Sequence, residues 1–485
     1  MDPVDRRRAW LWLAFWTLAG AAFALAFPKG ADQDSGYHYI KARWAFVHPL
    51  MFVDVWARPL FTTLYAIPAQ AGVLATKLFT LLLGLVTAWQ SWRLAEALGV
   101  RRPSTVIALL FLQPVFFLFC ADTMTEPLFA LVFVTALRLH HGGRVRAGML
   151  VASLMILARP EGFFLGLLWG VWALVDRRDP RPWWKRIPST GLLATGFVAW
   201  WAAALVMTGD PLFIRNNWPG IWSATGVTYA RGSIWGFAMR MPEIAGPILL
   251  LPFLAGLVTT LRNRVFATIT SAFLVIFVVH SLLLATGRFG STGFPRYLIC
   301  VAPATAILAL VGWRALEDAL RSRLPRIAPA VGAAALAASG FLSVVYVDAM
   351  PQPRDAGAMA GLVEEFNKQP VPYMRLAWSQ AYMCALFDRD PVENPTWSAV
   401  RGENLARLKE LPEATLVSWD RTIGPSWFHL EVEDFEAAGF RRLASRKERL
   451  TARLSGFAKG IPGVSTEQEL VLLYRDPGVS EPPRK

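Results

Sequence analysis

Residues 10–27, WLWLAFWTLAGAAFALAF, contain no charged side chain and are long enough, as a helix, to cross the hydrocarbon core of a membrane. Similar apolar runs recur through the first 350 residues. The chain is 54% hydrophobic and 17% charged, whereas a soluble globular protein is about 25% charged. The sequence therefore predicts a multi-pass membrane protein. We expect the first run to be a retained helix, because no small-x-small cleavage site follows it.

The apolar runs predict an α-helical polytopic membrane protein with about eleven transmembrane helices. After residue 350, AMAGLVEEFNKQ is typical of a helix, and ATLVSW and ELVLLYR are typical of strands. We therefore predict a transmembrane domain at 1–350 and a small C-terminal soluble α/β domain at 351–485. The predicted spans are 9–27, 78–98, 104–120, 124–140, 147–158, 161–175, 190–208, 244–261, 265–286, 296–313 and 327–347.

The distribution of basic residues predicts the orientation. Residues 1–350 contain 31 Lys plus Arg against 16 Asp plus Glu (31 − 16 = +15), and residues 351–485 contain 18 against 19 (−1). The excess follows the connections on the side of the N-terminal DRRR, which the positive-inside rule places in the cytoplasm. It therefore indicates topology rather than nucleic-acid binding. We expect a cell (inner) membrane protein whose long loops 28–77 and 209–243 and C-terminal domain are extracytoplasmic.

A pair of carboxylates directly follows the first span, in DQDSGYHYIKAR at residues 32–43. Asp32 and Asp34 are two residues apart, so both could face one site on an extended segment. There they would act as a general base or hold a divalent cation such as Mg²⁺ or Mn²⁺. The alternative is that they cap the next helix, with Asp34 or Ser35 at its N-cap.

Two further charged pairs lie at predicted outer ends of spans. Asp122 and Glu126, in CADTMTEPLFALVF, are four residues apart and would share one helix face, although a TxxE capping motif would also explain them. Arg159 and Glu161, in LARPEGFF, interrupt an apolar region where charges usually line a polar pathway; pairing with each other would instead pin the break. The candidate acceptor-side or auxiliary residues are Asp122, Glu126, His38, Arg58 and Glu161.

A phosphate-binding role is predicted for arginines on the same side. Arg288 and Arg296 flank the Gly-rich part of ATGRFGSTGFPRYLICVAP. Arginine binds phosphate bidentately and glycine permits close backbone approach, whereas snorkelling to the interface is the competing explanation. Arg159 and Lys77 would add positive charge. Because no Walker loop or Gly-rich βαβ turn is present in the sequence, a lipid-embedded phosphate donor fits better than ATP or a nucleotide sugar.

At these residues the chain resembles the GT-C superfamily of integral-membrane glycosyltransferases, which includes protein O-mannosyltransferases. The resemblance rests on DQDSGYHYIKAR after the first span, on the long first outer loop, and on TMTEPLFALVF, RPEG and RYLICVAP. It implies a polyprenyl-phosphate sugar donor, inverting transfer, and Asp32 or Asp34 as catalytic base or metal ligand. It also implies that Arg296, and less directly Arg159, meets the lipid phosphate. The family's adjacent Asp-Glu pair and HPDE-like signature are missing from the loop, so the acceptor class, whether lipid, glycan or protein, stays open.

We therefore predict a hexosyltransferase of the cell envelope that moves mannose or a related sugar from a polyprenyl-phosphate donor to an acceptor hydroxyl. Asp34 ranks before Asp32 as the base, because a helix N-terminus favours an ionised carboxylate. The alternative function is a multi-span lipid or glycan transporter or flippase, which predicts pseudo-repeated halves and helices broken near the midplane. A scaffold protein would tolerate mutation of all these charges.

Overall fold

The fold is taken from a computed structural model, and the chain divides into two compact units. The first contains Met1–Ala24, Pro49–Leu64 and Lys77–Val347, and the second contains Leu25–His48, Tyr65–Thr76 and Asp348–Lys485. Much of the first outer loop therefore belongs to the same unit as the C-terminal domain. The described residues are 2–28, 33–176, 180–219, 231–288, 293–350, 352–394, 408, 410–421, 423–425, 429–452, 454 and 465–477.

Helices dominate the chain up to residue 349. In chain order they are α1 Pro3–Ala26, α2 Gln33–Trp44, α3 Pro59–Gln70, α4 Val73–Ala97, α5 Thr105–Phe111, α6 Pro114–Cys120, α7 Thr125–His141, α8 Val145–Ala152, α9 Met155–Ala158, α10 Gly162–Val175, α11 Trp183–Thr190, α12 Thr195–Thr208, α13 Phe213–Asn216, α14 Gly236–Met239, α15 Met241–Ala245, α16 Leu250–Thr260, α17 Ala267–Thr286, α18 Ala302–Arg323 and α19 Ala328–Ala349. Short 3₁₀ turns cover Pro49–Phe52, Gly191–Ala194, Arg264–Phe266 and Pro295–Val301.

The protein is a multi-pass membrane protein. Among the described residues, six helices are long and apolar enough to cross a membrane, or seven if a bent pair is one span. The six are Pro3–Ala26, Val73–Ala97, Trp183–Thr208, Arg264–Thr286, Pro295–Arg323 and Ala328–Ala349. Shorter apolar helices cover Val145–Ala158, Gly162–Val175 and Leu250–Thr260. The predicted number of eleven spans is therefore not confirmed.

The region of the predicted spans 104–120 and 124–140 shows why the number differs. Pro114 occupies the first position of α6 and Gln113 before it is extended, so α5 ends there. Proline cannot continue a helix whose backbone N–H groups are already bonded, but it fits at a helix start. A second break precedes α7, and α6 and α7 form the bent pair, at 108° to each other. The sequence correctly predicts that this region is apolar and helical. Pro114 and the polar residues before α7 interrupt it, so it forms α5, α6 and α7 rather than two long spans.

Glycines allow two helices of the first unit to pack in close contact. A Cβ atom added at Gly256 of α16 would lie 1.8 Å from the carbonyl oxygen of Leu308, and one added at Gly312 of α18 would lie 1.9 Å from that of Pro252. No side chain fits at such separations. Small residues that let helix backbones approach are the usual means of helix association in lipid, where burial from water supplies no driving force.

The second unit contains a four-stranded sheet with strands β1 Arg375–Trp378, β2 Thr415–Asp420, β3 Arg441–Thr451 and β4 Ser465–Tyr474. The strand order is β1-β2-β4-β3, with β1 and β2 parallel and the other pairs antiparallel. Among the described residues after 350, three helices accompany the sheet: α20 Gln352–Phe366, α21 Ala381–Leu386 and α22 Val432–Ala437. Trp419, Phe435 and Phe440 are buried together in its core. This confirms the prediction of a small C-terminal α/β domain.

We expect the substitution Gly256→Ala to destabilise the first unit, because the added methyl group must displace the backbone of α18. Overpacking of this kind typically costs about 1–3 kcal/mol. The matched control is Gly166→Ala, since Gly166 lies in the apolar helix α10 and an added Cβ there meets no atom within 4 Å. Thermal unfolding in detergent micelles should show a lower transition temperature for Gly256→Ala and no loss for Gly166→Ala. Equal transition temperatures would contradict the role of this helix contact.

Candidate functional site

A cluster of buried charged side chains lies within the first unit. Its members come from four separate parts of the chain: Glu126 in the first turn of α7, Arg159 and Glu161 at the break between α9 and α10, His280 in α17 and Arg296 in the 3₁₀ turn before α18. None of the five residues is more than 8% exposed. We call these five residues the buried cluster.

Tight local packing defines the break that carries two of these residues. Arg159 is extended, so the helix ends before it, and Pro160 follows. A Cβ atom added at Gly162 would lie 2.4 Å from the backbone nitrogen of Ile156, so only glycine allows the chain to turn back so sharply. The break thereby places a guanidinium and a carboxylate inside an apolar region.

Arg159 is held between two carboxylates. Its Nη1 lies 2.8 Å from Glu126 Oε1 and its Nη2 lies 2.8 Å from Glu161 Oε1. Nη1 also donates to Thr125 Oγ1 at 2.9 Å, and Nε donates to Glu161 at 3.2 Å. Protein oxygens thus contact all three guanidinium nitrogens. The sequence offered the alternative that Arg159 pairs with Glu161 at the break. The structure has this pair, and Arg159 also pairs with Glu126.

Arg296 has a looser relation to the same carboxylate. Its Nε lies 3.8 Å from Glu126 Oε1, which is beyond hydrogen-bond range. Its guanidinium carbon lies 5.1 Å from the ring centre of Phe294 and 5.8 Å from that of Tyr297, in cation–π contacts. Arg296 thus contacts two aromatic rings and lies within electrostatic range of Glu126.

The ring of Tyr297 contacts His280, Arg159 and Arg296. Tyr297 stacks on His280, with ring centres 4.9 Å apart and planes at 15°, and its ring centre also lies 5.8 Å from the guanidinium carbon of Arg159. His280 Nε2 lies 3.5 Å from Glu161 Oε1. The cluster contains two arginines and two glutamates. Intramembrane charges are costly to bury and mostly mark functional sites, so the buried cluster is the best candidate site in the first unit.

Two further candidates of the first unit, Lys77 and Asp122, are also buried. They lie close enough together for electrostatic attraction. Asp122 accepts a hydrogen bond from the backbone nitrogen of Thr123 at 2.7 Å and precedes α7, which begins at Thr125. Asp122 and Glu126 therefore do not share a helix face, and no side chain caps this helix in the manner of a TxxE motif.

Arg58 and Arg288 differ from the arginines of the buried cluster. Arg58 is buried with a positive φ of 65°, and its Nη1 donates to the carbonyl oxygen of Val55 at 3.1 Å. Its local contacts are typical of a structural residue. Arg288 is exposed, directly after Gly287 at the end of α17. Most of the Gly-rich segment after it, residues 289–292, lies outside the described residues.

The predicted catalytic aspartate belongs to the second unit. Helix α2 begins at Gln33, so Asp34 lies inside its first turn, where the helix dipole favours a carboxylate. Ser35 and His38 in the same helix are buried. Asp32 lies outside the described residues, so the predicted pairing of Asp32 with Asp34 at one site stays a prediction. Because Asp34 and the buried cluster belong to different units, their action on one substrate stays a prediction.

Tyr39, in the same helix as Asp34, is buried. Burial raises the pKa of Tyr39 to about 12, and Arg43 partly opposes this shift. Tyr39 therefore stays protonated at neutral pH. Across the described ranges, no group of three or more His, Cys, Asp or Glu side chains is placed to hold a metal ion. The cation at Asp32 and Asp34 stays a prediction.

Sequence reasoning missed His280 and gave no role to Tyr297. His280 interrupts the apolar run FLVIFVVHSLLLAT, and an ionisable residue inside a span is itself a functional signal. Tyr297 is the tyrosine of RYLICVAP, the segment from which Arg296 was selected. Their contact with each other depends on the packing of α17 against the turn before α18, which no local pattern predicts.

We expect the substitution Glu126→Gln to destabilise the protein strongly, because Arg159 would lose one of its two carboxylates while remaining buried. Removing one partner from a buried ion pair costs about 3–5 kcal/mol. The control is Asp318→Asn, which breaks the 2.7 Å pair of Asp318 with Arg101, whose side chains are 54% and 60% exposed. Exposed pairs contribute about 0–1 kcal/mol. The free energy of unfolding in micelles distinguishes the two, and similar losses would contradict a structural role for the buried pairing.

Comparison with known proteins identifies the fold. No family model matches the chain, and no curated protein matches its sequence. Two crystal structures of ArnT from Cupriavidus metallidurans do match its structure. The complex with undecaprenyl phosphate gives a TM-score of 0.64 at 14% identity, covering 95% of this chain and 97% of that chain. The apo state gives 0.59 at 14% identity, covering 95% and 98%. The chain therefore has the fold seen in these two ArnT structures, which agrees with the predicted fold class.

Proposed function

We propose that the protein is a membrane glycosyltransferase that moves a sugar from a polyprenyl-phosphate donor to an acceptor hydroxyl, with inversion at the anomeric carbon. The observation that carries the proposal is the structural similarity to ArnT, which extends over 95% of the chain. One of the two matching ArnT structures is a complex with undecaprenyl phosphate. Since one fold can host several functions, the chemistry must also be argued from the residues. The buried cluster supplies that second support.

Arg296 is the best candidate to bind the donor phosphate. It lies in the buried cluster beside Glu126, and its guanidinium contacts the rings of Phe294 and Tyr297. The resemblance to the GT-C superfamily assigns the lipid phosphate to this arginine, and a phosphate at Arg159 would have to displace the 2.8 Å contacts of that residue with Glu126 or Glu161. Arginine suits this role because its planar guanidinium binds two phosphate oxygens at once. Lys77 and Arg288 remain further candidates for the same anion.

Asp34 is the best candidate for the general base. Its carboxylate takes the proton of the acceptor hydroxyl while the hydroxyl oxygen forms a bond to the anomeric carbon. The bond from that carbon to the phosphate oxygen breaks, and the electron pair leaves with the polyprenyl phosphate. Arg296 neutralises the charge that develops there. If a divalent cation binds, Asp32 and Asp34 would hold it. It would supply further neutralisation of the phosphate charge.

The proposal also covers which sugar is transferred and on which face of the membrane the transfer takes place. A hexose, mannose or a relative, fits the resemblance on which the sequence prediction rests. The basic connections support a cytoplasmic N-terminus in the cell inner membrane and transfer on the extracytoplasmic face. The acceptor is a lipid, a glycan or a protein, and the proposed orientation makes the C-terminal domain extracytoplasmic.

We expect Asp34→Asn to lower kcat about 10²- to 10⁴-fold, the usual contribution of a general base, without loss of donor binding. The assay follows radiolabel from polyprenyl-phosphate mannose into membrane acceptors. Asp32→Asn is the matched variant, because it removes the other carboxylate of the pair. Full activity in the Asp32, Asp34 double variant would refute the assignment of the base to this loop.

We expect Arg296→Gln to raise the donor KM at least tenfold, because a charge-assisted contact to phosphate is lost, which is worth about 1.5–3 kcal/mol. Arg288→Gln is the comparison variant, because Arg288 is an exposed arginine eight positions earlier and the rival candidate for the same anion. Donor affinity is measured with the polyprenyl phosphate itself as a competitive inhibitor. If the two variants lose affinity equally, the phosphate is not bound selectively at Arg296.

A further inference from the structure

The helix that carries Asp34 belongs to the same compact unit as the C-terminal domain. The second unit joins Leu25–His48 to Asp348–Lys485, and within it α2 packs against α21. Three contacts, at different points along α2 and the segment after it, connect the two. Each one brings a residue near Asp34 in sequence against a residue of the C-terminal domain.

The first contact is a close approach of two backbones. A Cβ atom added at Gly36 would lie 2.7 Å from the backbone nitrogen of Tyr382 and 3.0 Å from its Cα. Gly36 lies in α2 only two residues after Asp34, and Tyr382 lies in α21. The backbone of the C-terminal domain therefore lies directly against the helix turn that carries the proposed base.

The second contact is a two-pronged ion pair at the other end of α2. Arg43 Nε and Nη2 each donate to one carboxylate oxygen of Asp388 at 3.3 Å. Arg43 Nη1 donates to Gln70 Oε1 at 2.8 Å, and Gln70 Nε2 donates back to the carbonyl oxygen of Arg43 at 2.9 Å. Because two oxygens and a side-chain amide engage one guanidinium, the orientation of Arg43 is fixed as well as its position.

The third contact lies just beyond α2. His48 Nε2 lies 2.6 Å from Asp390 Oδ2, and Asp390 is only 7% exposed. The other oxygen of Asp390 accepts a hydrogen bond from the backbone nitrogen of Val392 at 2.9 Å, which orients the carboxylate. The chain leaving α2 is thus held to the same short stretch of the C-terminal domain as Arg43.

We propose that the C-terminal domain positions helix α2, and through it the carboxylate of Asp34, with Arg43 and Asp388 as positioning residues. The assignment of Asp34 as base rests on the proposed function; the restraint on α2 does not. A helix of 12 residues is about 18 Å long and behaves as a short rod. Contacts near both of its ends therefore fix its direction, and a catalytic group displaced by about 1 Å can lose roughly 10²-fold in rate.

The first test reverses the charges of the ion pair. Asp388→Arg and Arg43→Asp should each lower kcat about 10- to 100-fold and leave the donor KM within about twofold, because Asp34 is displaced while the phosphate site is not. The double variant should recover a large part of kcat, since the pair is restored with opposite charges. Folding should persist, because Asp388 is 62% exposed and such pairs contribute little to stability.

The matched control reverses an ion pair of the same domain whose partners are not in α2. Arg442 Nε lies 2.6 Å from Glu436 Oε1, and the two side chains are 43% and 41% exposed. Glu436→Arg should leave kcat unchanged. A loss of kcat equal to that of Asp388→Arg would show that any charge reversal in this domain is harmful and would overturn the proposal.

The second test measures the restraint without any substrate. Spin labels on Asp34→Cys and on Glu467→Cys, an exposed position of β4, report the distance from α2 to the sheet. The three native cysteines are buried. We expect a narrow distance distribution that broadens at least twofold with Asp388→Arg and narrows again in the charge-swapped variant. An unchanged width, or a loss of kcat without broadening, would overturn the positioning role. If the wild type transfers no sugar but the broadening occurs, the proposed function fails and the restraint on α2 stands.

Discussion

Arg159 lies between Glu126 and Glu161 inside an apolar membrane fold, and the arrangement of the buried cluster follows from that contact. A guanidinium cannot be left unpaired in such a place, since the loss of solvation exceeds what any single neutral contact returns. The first turn of α7 and the break between α9 and α10 must therefore stay together. Glu126, fixed in this way, also faces Arg296 at 3.8 Å. The position of the second arginine thus depends on the pairing of the first.

The sequence predicts the same role, phosphate binding, for Arg159 and Arg296, but their contacts in the structure differ. Arg159 is held by oxygens of Glu126, Glu161 and Thr125, and Arg296 lies beside Glu126 and against two aromatic rings. The cost of burying Arg159 is offset by its two carboxylates. A phosphate that approached Arg159 would have to displace one of them. The proposed function therefore assigns the donor phosphate to Arg296.

The division of the chain into two units bears on the proposed chemistry in another way. The arginines belong to the unit built from most of the membrane helices, and Asp34 belongs to the unit that includes the C-terminal domain. The two functions of a glycosyl transfer, neutralising the leaving phosphate and activating the acceptor, would then have separate structural supports. The likeness to ArnT concerns the fold. The proposed activity depends on these residues, and at 14% identity the sugar and the acceptor can differ from those of ArnT.

The sequence alone determined the membrane class and the C-terminal α/β domain, because hydrophobic run length and strand alternation are local properties. It also selected Glu126, Arg159, Glu161 and Arg296, because charged residues in apolar surroundings are conspicuous. Only the tertiary structure decided that Arg159 is engaged by two glutamates, that His280 and Tyr297 complete the cluster, and that α2 packs on α21. These outcomes depend on contacts between segments up to about 350 positions apart, such as Arg43 with Asp388. Spacing along the chain does not predict such contacts, because they depend on how the helices pack in three dimensions and on which buried charges need a partner.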